Sequence, residues 1–424
     1  MSGGDAAPAA VALPGALDEP TGPVRRGYIS MVVLANLGIM LAFYTPIQNL
    51  LPRLAEQASP DGKEAALAWI TAAGAFASIV FNPLAGALSD RTVSRLGRRK
   101  PWVLYGSLAG ALGILALSLQ STVVGLAAVW FFCQATINAA YAGLTATIPD
   151  QVPVPQRGLV SGWVGLAQTV GVVLGVAIVS FVVLDLDGGL VVTAVLLVVL
   201  VLPFVLKQRD IPLDASTRPS FRMAEWLKGF WVSPRLYPDF GWAWITRFLM
   251  MLGNAMATLY LLFWLKDKVG LTGKEAEQGQ TVLIGLYALG TILTAVVFGR
   301  LSDRSGKRKV YVIAATVVMA FAAVLLAFFP VFSVAMVAAL ILGLGYGMYL
   351  AVDQALVTQV LPRAIDRGRD LGVINIANSA PQVLAPVIAA PIVTGALGYP
   401  GLYVLTAVIT LLSAVLVTRI KSVP

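Results

Sequence analysis

The chain has no histidine and a single cysteine, Cys133, inside an apolar run. The first absence removes imidazole as a general base or metal ligand. The second removes disulfides and thiolate metal clusters. No metal and no cofactor is expected, and any proton chemistry falls to carboxylates. Charge is scarce as well: Asp, Glu, Lys and Arg make up 12% of 424 residues and hydrophobic residues 58%, against about 25% charged in soluble domains. Most of the chain must therefore face lipid or other apolar helices. The formal charge is +9, yet the basic residues sit in short loops between apolar runs. That is a pattern of membrane topology, so no nucleic-acid partner is expected.

What the chain has in abundance is apolar segments of about 20 residues, enough to cross a bilayer. They fall near 28–52, 65–88, 102–121, 124–149, 159–184, 190–206, 241–264, 278–299, 309–329, 332–361, 371–395 and 400–419. The spacing predicts an all-α polytopic membrane protein with twelve transmembrane helices in two six-helix bundles, 28–206 and 241–424. Residues 1–27, rich in Ala, Pro and Gly, lack an early apolar core behind a basic start. They read as a disordered cytoplasmic tail rather than a signal peptide, which makes the first segment an uncleaved anchor. Between the bundles, 207–240 interleaves Arg218, Arg222, Lys228 and Arg235 with Phe221, Trp226, Phe230 and Trp231, the composition of an interfacial amphipathic linker.

Orientation follows from the basic residues. With both termini inside, 24 Lys and Arg lie on the cytoplasmic side and 5 outside, as the positive-inside rule requires of a multi-pass protein of the cell membrane.

One basic loop occurs twice, as GALSDRTVSRLGRRKPW at 86–102 and GRLSDRSGKRKVY at 299–311, each between two apolar segments. Asp90 and Asp303 lie 213 residues apart in a chain of 424, so each half repeats the other almost end to end. Such internal symmetry belongs to secondary transporters that rock one bundle against the other. The repeat marks Gly86, Asp90, Arg91, Gly97, Arg98 and Arg99 in the first loop and Asp303, Arg304, Gly306 and Arg308 in the second as gating residues. Their carboxylates are expected to meet neighbouring helix N-termini and Arg91 and Arg304.

Polar residues within the segments fall on stripes. Segment four carries Gln134, Asn138, Tyr141 and Thr145 on one face; segment seven Arg247, Asn254 and Thr258; segment ten Tyr346, Tyr349 and Asp353. Segment eleven carries Asn375, Asn378 and Gln382, and segment one offers Tyr44 and Gln48, while six, nine and twelve carry no such stripe. Five stripes describe a hydrated path ringed by lipid-facing supports; each alone reads equally as interhelical hydrogen bonding. Arg247 and Asp353 both lie roughly 9 to 13 Å deep at 1.5 Å per residue, and an unpaired charge there is costly enough that they are expected to pair. Asp150, at the cytoplasmic end of segment four, is a third candidate for proton coupling. Trp163, Trp242, Trp244 and Trp264 read either as platforms for sugar rings or as interfacial anchors.

The doubled loop resembles the signature of the major facilitator superfamily. Within it, LAFYTPIQNLLP (41–52), NPLAG (82–86), SDRTVSRLGRRKPW (89–102), PDQVPVPQRG (149–158) and DLGVINIANSAPQ (370–382) resemble the sucrose and glycoside/pentoside/hexuronide:cation symporter branch. The resemblance implies two pseudo-symmetric bundles, alternating access to a small-molecule site near the midplane, and coupling to a cation. The acidic residue of the sucrose carriers matches Asp150, but the arginine five positions earlier is Thr145 here. Ser78 and Asn82 stand where the melibiose-type carriers place sodium-binding carboxylates. Proton coupling through Asp150 or Asp353 is therefore expected ahead of sodium. The expectation is a monomeric proton-coupled sugar or glycoside symporter, with efflux of a small amphipathic compound as the alternative; a receptor or membrane enzyme would need a catalytic constellation that this sequence does not offer.

Overall fold

The structure, a computed structural model, describes residues 22–24, 26–183, 185–210, 212–217, 235–360 and 367–422. The proposed tail up to residue 21 and the linker over 218–234 lie outside the described residues. Among the described residues all regular structure is helical, in twelve rods. The first half holds α1 (Arg26–Thr45, carried on through Pro46–Leu50 and Leu51–Ala58), α2 (Lys63–Ser89), α3 (Lys100–Ala116), α4 (Val123–Gln151), α5 (Val154–Ala177, then Ile178–Val183) and α6 (Leu186–Lys207). The second holds α7 (Pro238–Leu259, then Leu261–Trp264 and Leu265–Val269), α8 (Gly273–Ser305), α9 (Arg308–Phe328), α10 (Phe332–Val360), α11 (Arg367–Thr394) and α12 (Gly398–Val417).

Ten of these rods are long and apolar enough to cross a membrane, eleven when α7, bent by 42° beyond Leu259, is counted as one. The twelfth, α8, is polar at both ends, with Lys274, Glu275 and Glu277 in its first turns and Arg300, Asp303 and Arg304 in its last, around an apolar stretch at 281–298. Local chemistry sets several ends. The Thr122 hydroxyl accepts from the N–H of Gly125 at the start of α4, and the Asp185 carboxylate accepts from Gly188 at the start of α6, each satisfying a donor the helix leaves orphaned. In α1, Pro46 begins a π-helical turn and Pro52 follows it. Neither ring can donate to the helical ladder, and the wider turn lets the rod continue past both.

Packing repeats with a shift of six helices. In the first half α4 packs on α2 and α3, α3 on α6, and α1 on α5 and α6. In the second, α10 packs on α8 and α9, α9 on α12, and α7 on α11 and α12. The halves meet along α2 with α11 and α5 with α8, which the same shift interchanges. Close crossings rest on small residues. A side chain on Gly106 would overlap the backbone of α4 at Thr136 and Ala140, and one on Gly343 or Gly347 would overlap α8 at Tyr287 and Thr291. Such approach lets backbones pack where lipid offers no hydrophobic drive.

The apolar supports show in exposure. On α6, Val191, Val195, Val199, Leu202 and Leu206 are exposed at helical spacing, and Val310, Val317, Phe321, Val324 and Phe328 repeat the pattern on α9. Tyr105, Leu108, Leu112, Leu115 and Leu119 add α3 to the peripheral set, which the six-helix shift requires as the partner of α9. Stripes of this kind suit lipid contact.

Candidate functional site

At the end of the bundle that carries the termini, the first repeated loop is a charge network. Asp90 closes α2 and Arg99 opens α3. The Arg99 guanidinium lies 2.5 Å from Asp90, donates to Ser89 Oγ at 2.5 Å, and meets Asp150 Oδ2 at 2.8 Å. Arg98 takes the other Asp150 oxygen at 2.7 Å. Both arginines are buried, so these cations do more than set topology: they tie α2, α3 and α4 together. Asp210, beyond α6, accepts the backbone N–H groups of Arg99 and Lys100 at 2.5 and 2.8 Å and so closes the N-terminus of α3. Burial pushes its carboxyl above the usual carboxylate value despite those two bonds; at Arg99 burial works against the charge, but the carboxylates of Asp150 and Asp90 outweigh it and leave the guanidinium held more firmly protonated than usual. Gly97 has φ +100°, and a Cβ there would overlap Asp210, so only glycine serves.

The expected partner of Asp90 is thereby corrected. Arg91 turns back to donate to the carbonyl of Ala87 at 2.5 Å, and Asp90 pairs with Arg99. The reason is directional: Arg99 arrives from the next helix with three nitrogens free to fork among α2 and α4, whereas Arg91 sits over the α2 terminus, where a carbonyl awaits a donor. Gly86 has open space around it. In the second loop Gly306 ends α8 with φ +67°, its N–H donating to Ser302, the usual left-handed stop. Arg304 is exposed and Arg308 half-buried, and the Asp303 side chain lies outside the described residues.

Midway along the second half, Arg247 Nη1 on α7 lies 2.9 Å from Asp353 Oδ2 on α10, with both side chains 5% exposed. The two atoms meet by distance without the alignment of a hydrogen bond, while Arg247 Nε donates to Asn378 Oδ1 on α11 at 2.6 Å. The depth argument thus brings together Arg247, Asp353 and Asn378, three helices of one half. Tyr349 lies one turn before Asp353, fully buried, and Tyr346 stacks on Tyr287 with centroids 5.6 Å apart. The Tyr287 hydroxyl donates to Asn254 Oδ1 at 3.0 Å. Sequence reasoning passed over Tyr287, although Thr291 and Thr294 follow it on the same face of α8 at steps of four and three.

In the first half, Tyr44 is 36% exposed although α1 is packed by α5 and α6, and Gln48 lies one turn on, half-buried. Tyr141 packs edge-on against Phe43 and accepts from Gln168 Nε2 of α5 at 2.9 Å. Gln134 and Asn138 are held otherwise. Asn138 Oδ1 accepts from Ser78 at 3.0 Å and Asn82 at 3.2 Å, both on α2, and Asn138 Nδ2 donates to the side chain of Gln134 at 2.9 Å. Both are buried, so bonds to α2 and within α4 together occupy the Asn138 amide. Thr145 donates to the carbonyl of Tyr141 in its own helix at 2.9 Å. Gln382 is exposed on α11, and the Asn375 side chain lies outside the described residues. Trp264 is neither a platform nor an anchor: it is 1% exposed and edge-on to Tyr403.

The chain matches the Major Facilitator Superfamily over residues 27–285 and 243–424 and belongs to it. It is a multi-pass membrane protein and a secondary transporter, not an enzyme. A General alpha-glucoside permease of Schizosaccharomyces pombe is 31% identical over 123 residues, which cover 25% of this chain and 22% of the permease. Among solved structures, a mutant of the nucleoside transporter NupG superposes with TM-score 0.73 at 15% identity, covering 93% of this chain and 100% of that one. A POT family transporter in complex with 5-aminolevulinic acid gives 0.70 at 12%, covering 92% and 95%. At such identity these likenesses speak to the fold.

Proposed function

We propose that the chain is a proton-coupled importer of a sugar or glycoside across the cell membrane, with both termini in the cytoplasm and the bundles 28–206 and 241–424 rocking about a central site. The observation that carries the coupling is the buried pair of Arg247 and Asp353, 2.9 Å apart. A carboxylate there is neutralised either by its arginine or by a proton, so protonation frees Nη1 of the guanidinium for substrate while Nε stays on Asn378, and deprotonation restores the pair. Asp150 has a different role in this reading: two buried arginines hold it as part of the loop brace. Tyr44, Gln48, Tyr141, Asn254, Tyr287, Tyr346, Tyr349 and Asn378 supply hydroxyl, amide and ring faces to a polyhydroxylated solute, with Gln382 beyond them on α11. Gln134 and Asn138 support that wall from behind. The sequence likeness to an alpha-glucoside permease over 25% of this chain supports the sugar class.

The test is transport of a radiolabelled α-glucoside into proteoliposomes under imposed pH and sodium gradients. Asp353→Asn abolishes accumulation against a gradient and spares exchange, because only the step of net proton release is blocked. Uphill uptake driven by sodium alone, or accumulation unchanged in Asp353→Asn, overturns the coupling; absence of any glucoside flux overturns the substrate class.

A further inference from the structure

Six charged side chains gather at the end of the bundle away from the termini, where α1 and α2 meet α7 and α8. Arg53 Nε lies 3.3 Å from Glu277, Lys266 Nζ 2.5 Å from Glu56, and Lys63 Nζ 2.9 Å from Asp267. Each pair takes one member from each half of the chain. Two of the pairs are also linked to each other. Lys63 reaches Glu56 at 3.6 Å and lies over the Phe263 ring, 4.9 Å from its centroid. Tyr399 donates to the second oxygen of Asp267 at 2.7 Å, and the Tyr260 hydroxyl on α7 donates to the backbone carbonyl of Glu64 on α2 at 3.2 Å. Three cations thus face three anions. Parting the halves here would leave each charge to be solvated on its own.

The ion pairs described at the terminus end join parts of the same half: Arg98 and Arg99 with Asp90 and Asp150. Among the described residues, charge thus fastens the halves together at one end and braces the first half at the other. We infer that the cluster of Arg53, Glu56, Lys63, Lys266, Asp267 and Glu277 is a reversible latch that holds the transport path shut at the end away from the termini and must come apart for that end to open. Its chemistry fits reversal. Side-chain exposures of 35% for Glu56 and 31% for Asp267 keep water within reach of two of the pairs, so each of those contributes little on its own and separates easily, while Arg53 and Glu277, at 16% and 9%, form the drier contact. Three in concert bias the equilibrium between the two states without locking it.

The full-length chain in liposomes, spin-labelled at Ala65→Cys on α2 and Lys274→Cys on α8, reports the separation of the halves at this end. Both positions are exposed, and the native Cys133 is buried, so labels go to the introduced thiols. Arg53→Glu or Glu277→Arg alone is expected to enlarge the long-distance population about two- to fivefold, and the double swap to return it to the starting distribution. Glu56→Gln combined with Asp267→Asn removes charge without adding repulsion and shifts the distances the same way. Distributions unchanged in both Arg53→Glu and the Glu56→Gln, Asp267→Asn variant overturn the latch, as does a double swap as open as its singles. The readout uses neither substrate nor proton gradient, so its failure is separable from that of the coupling and sugar readings.

Discussion

Within a half the Arg247–Asp353 pair is dry, whereas two of the three pairs between the halves are wetted; the contrast is one of particular pairs, since Asp90 is 49% and Glu277 9% exposed at the side chain. Arg247 and Asp353 are each 5% exposed at the side chain, and Arg99 is equally enclosed, whereas Glu56 and Asp267 of the inter-half cluster stand 35% and 31% exposed. Both sets have similar distances; water distinguishes them. A dry pair is costly to break because one charge is left stranded in a poor solvent, and a wetted pair separates at small cost. The difference matches what an alternating machine requires. A dry pair such as Arg247 and Asp353 holds the helices of one body in place, and the wetted pairs of Glu56 and Asp267 suit the surfaces that part in the proposed latch.

The largest effect should come from stranding the driest charge. Arg247→Ala leaves Asp353 alone between α7 and α10 and is expected to destabilise the protein by about 3–5 kcal/mol. Combining it with Asp353→Asn should recover much of that loss. Thermal unfolding of the detergent-solubilised variants in a double-mutant cycle measures the coupling; additive effects would mean the 2.9 Å approach carries no energy. Next comes Arg99→Ala, which takes a partner from Asp90, Ser89 and Asp150 at once. Arg98 still holds Asp150 and Asp90 is half exposed, so the expected loss is smaller, about 2–3 kcal/mol. Arg99→Lys should rescue little, because an ammonium cannot fork among three partners.

Asp90→Asn separates bracing from gating. Its side chain is 49% exposed, so removing the charge should cost roughly 0.5 kcal/mol or less of stability. Turnover in proteoliposomes should fall by more than that stability change accounts for, because the contact is made in full in only one of two states. A wild-type rate would reduce Asp90 to a helix-end residue.

The division between dry and wet pairs also marks what the sequence made legible. Twelve apolar runs, their symmetry and the deep pairing of Arg247 with Asp353 were readable, because hydropathy and depth are properties of position along one helix. The polar stripes were readable as stripes but not as roles: the same spacing put Asn138 into bonds with Ser78 and Asn82 on α2 and left Tyr44 accessible. Which neighbour a side chain meets depends on helix rotation, which periodicity leaves open. The partner of Asp90 was missed for a similar reason, since Arg91 is adjacent in sequence and Arg99 only in space. The inter-half cluster stayed hidden because Arg53, Lys63 and Lys266 entered the reading only as a count of basic residues outside, with nothing to pair them to Glu277, Asp267 and Glu56.

The smallest effect tests whether the brace works through charge or through geometry. Asp210 accepts two backbone N–H groups at the start of α3, and burial raises its carboxyl above the ordinary 3.8. An acid whose pKa is higher folded than unfolded binds its proton more readily in the native state. Its contribution to stability is then greatest below the unfolded value and declines as pH rises from near 3.8 through the raised value. Asp210→Asn keeps an oxygen to accept the N–H of Arg99 and Lys100 but cannot ionise. The variant should therefore lose little at acidic pH and be slightly the more stable of the two above the window, with the wild-type minus variant difference in unfolding free energy falling across it. Unfolding of both proteins in detergent across that range gives the difference directly, and other carboxylates cancel in the subtraction. A difference that rises with pH would show that the ionised carboxylate is the favoured cap, stabilised by the α3 N-terminus and by Arg99 more than burial opposes it.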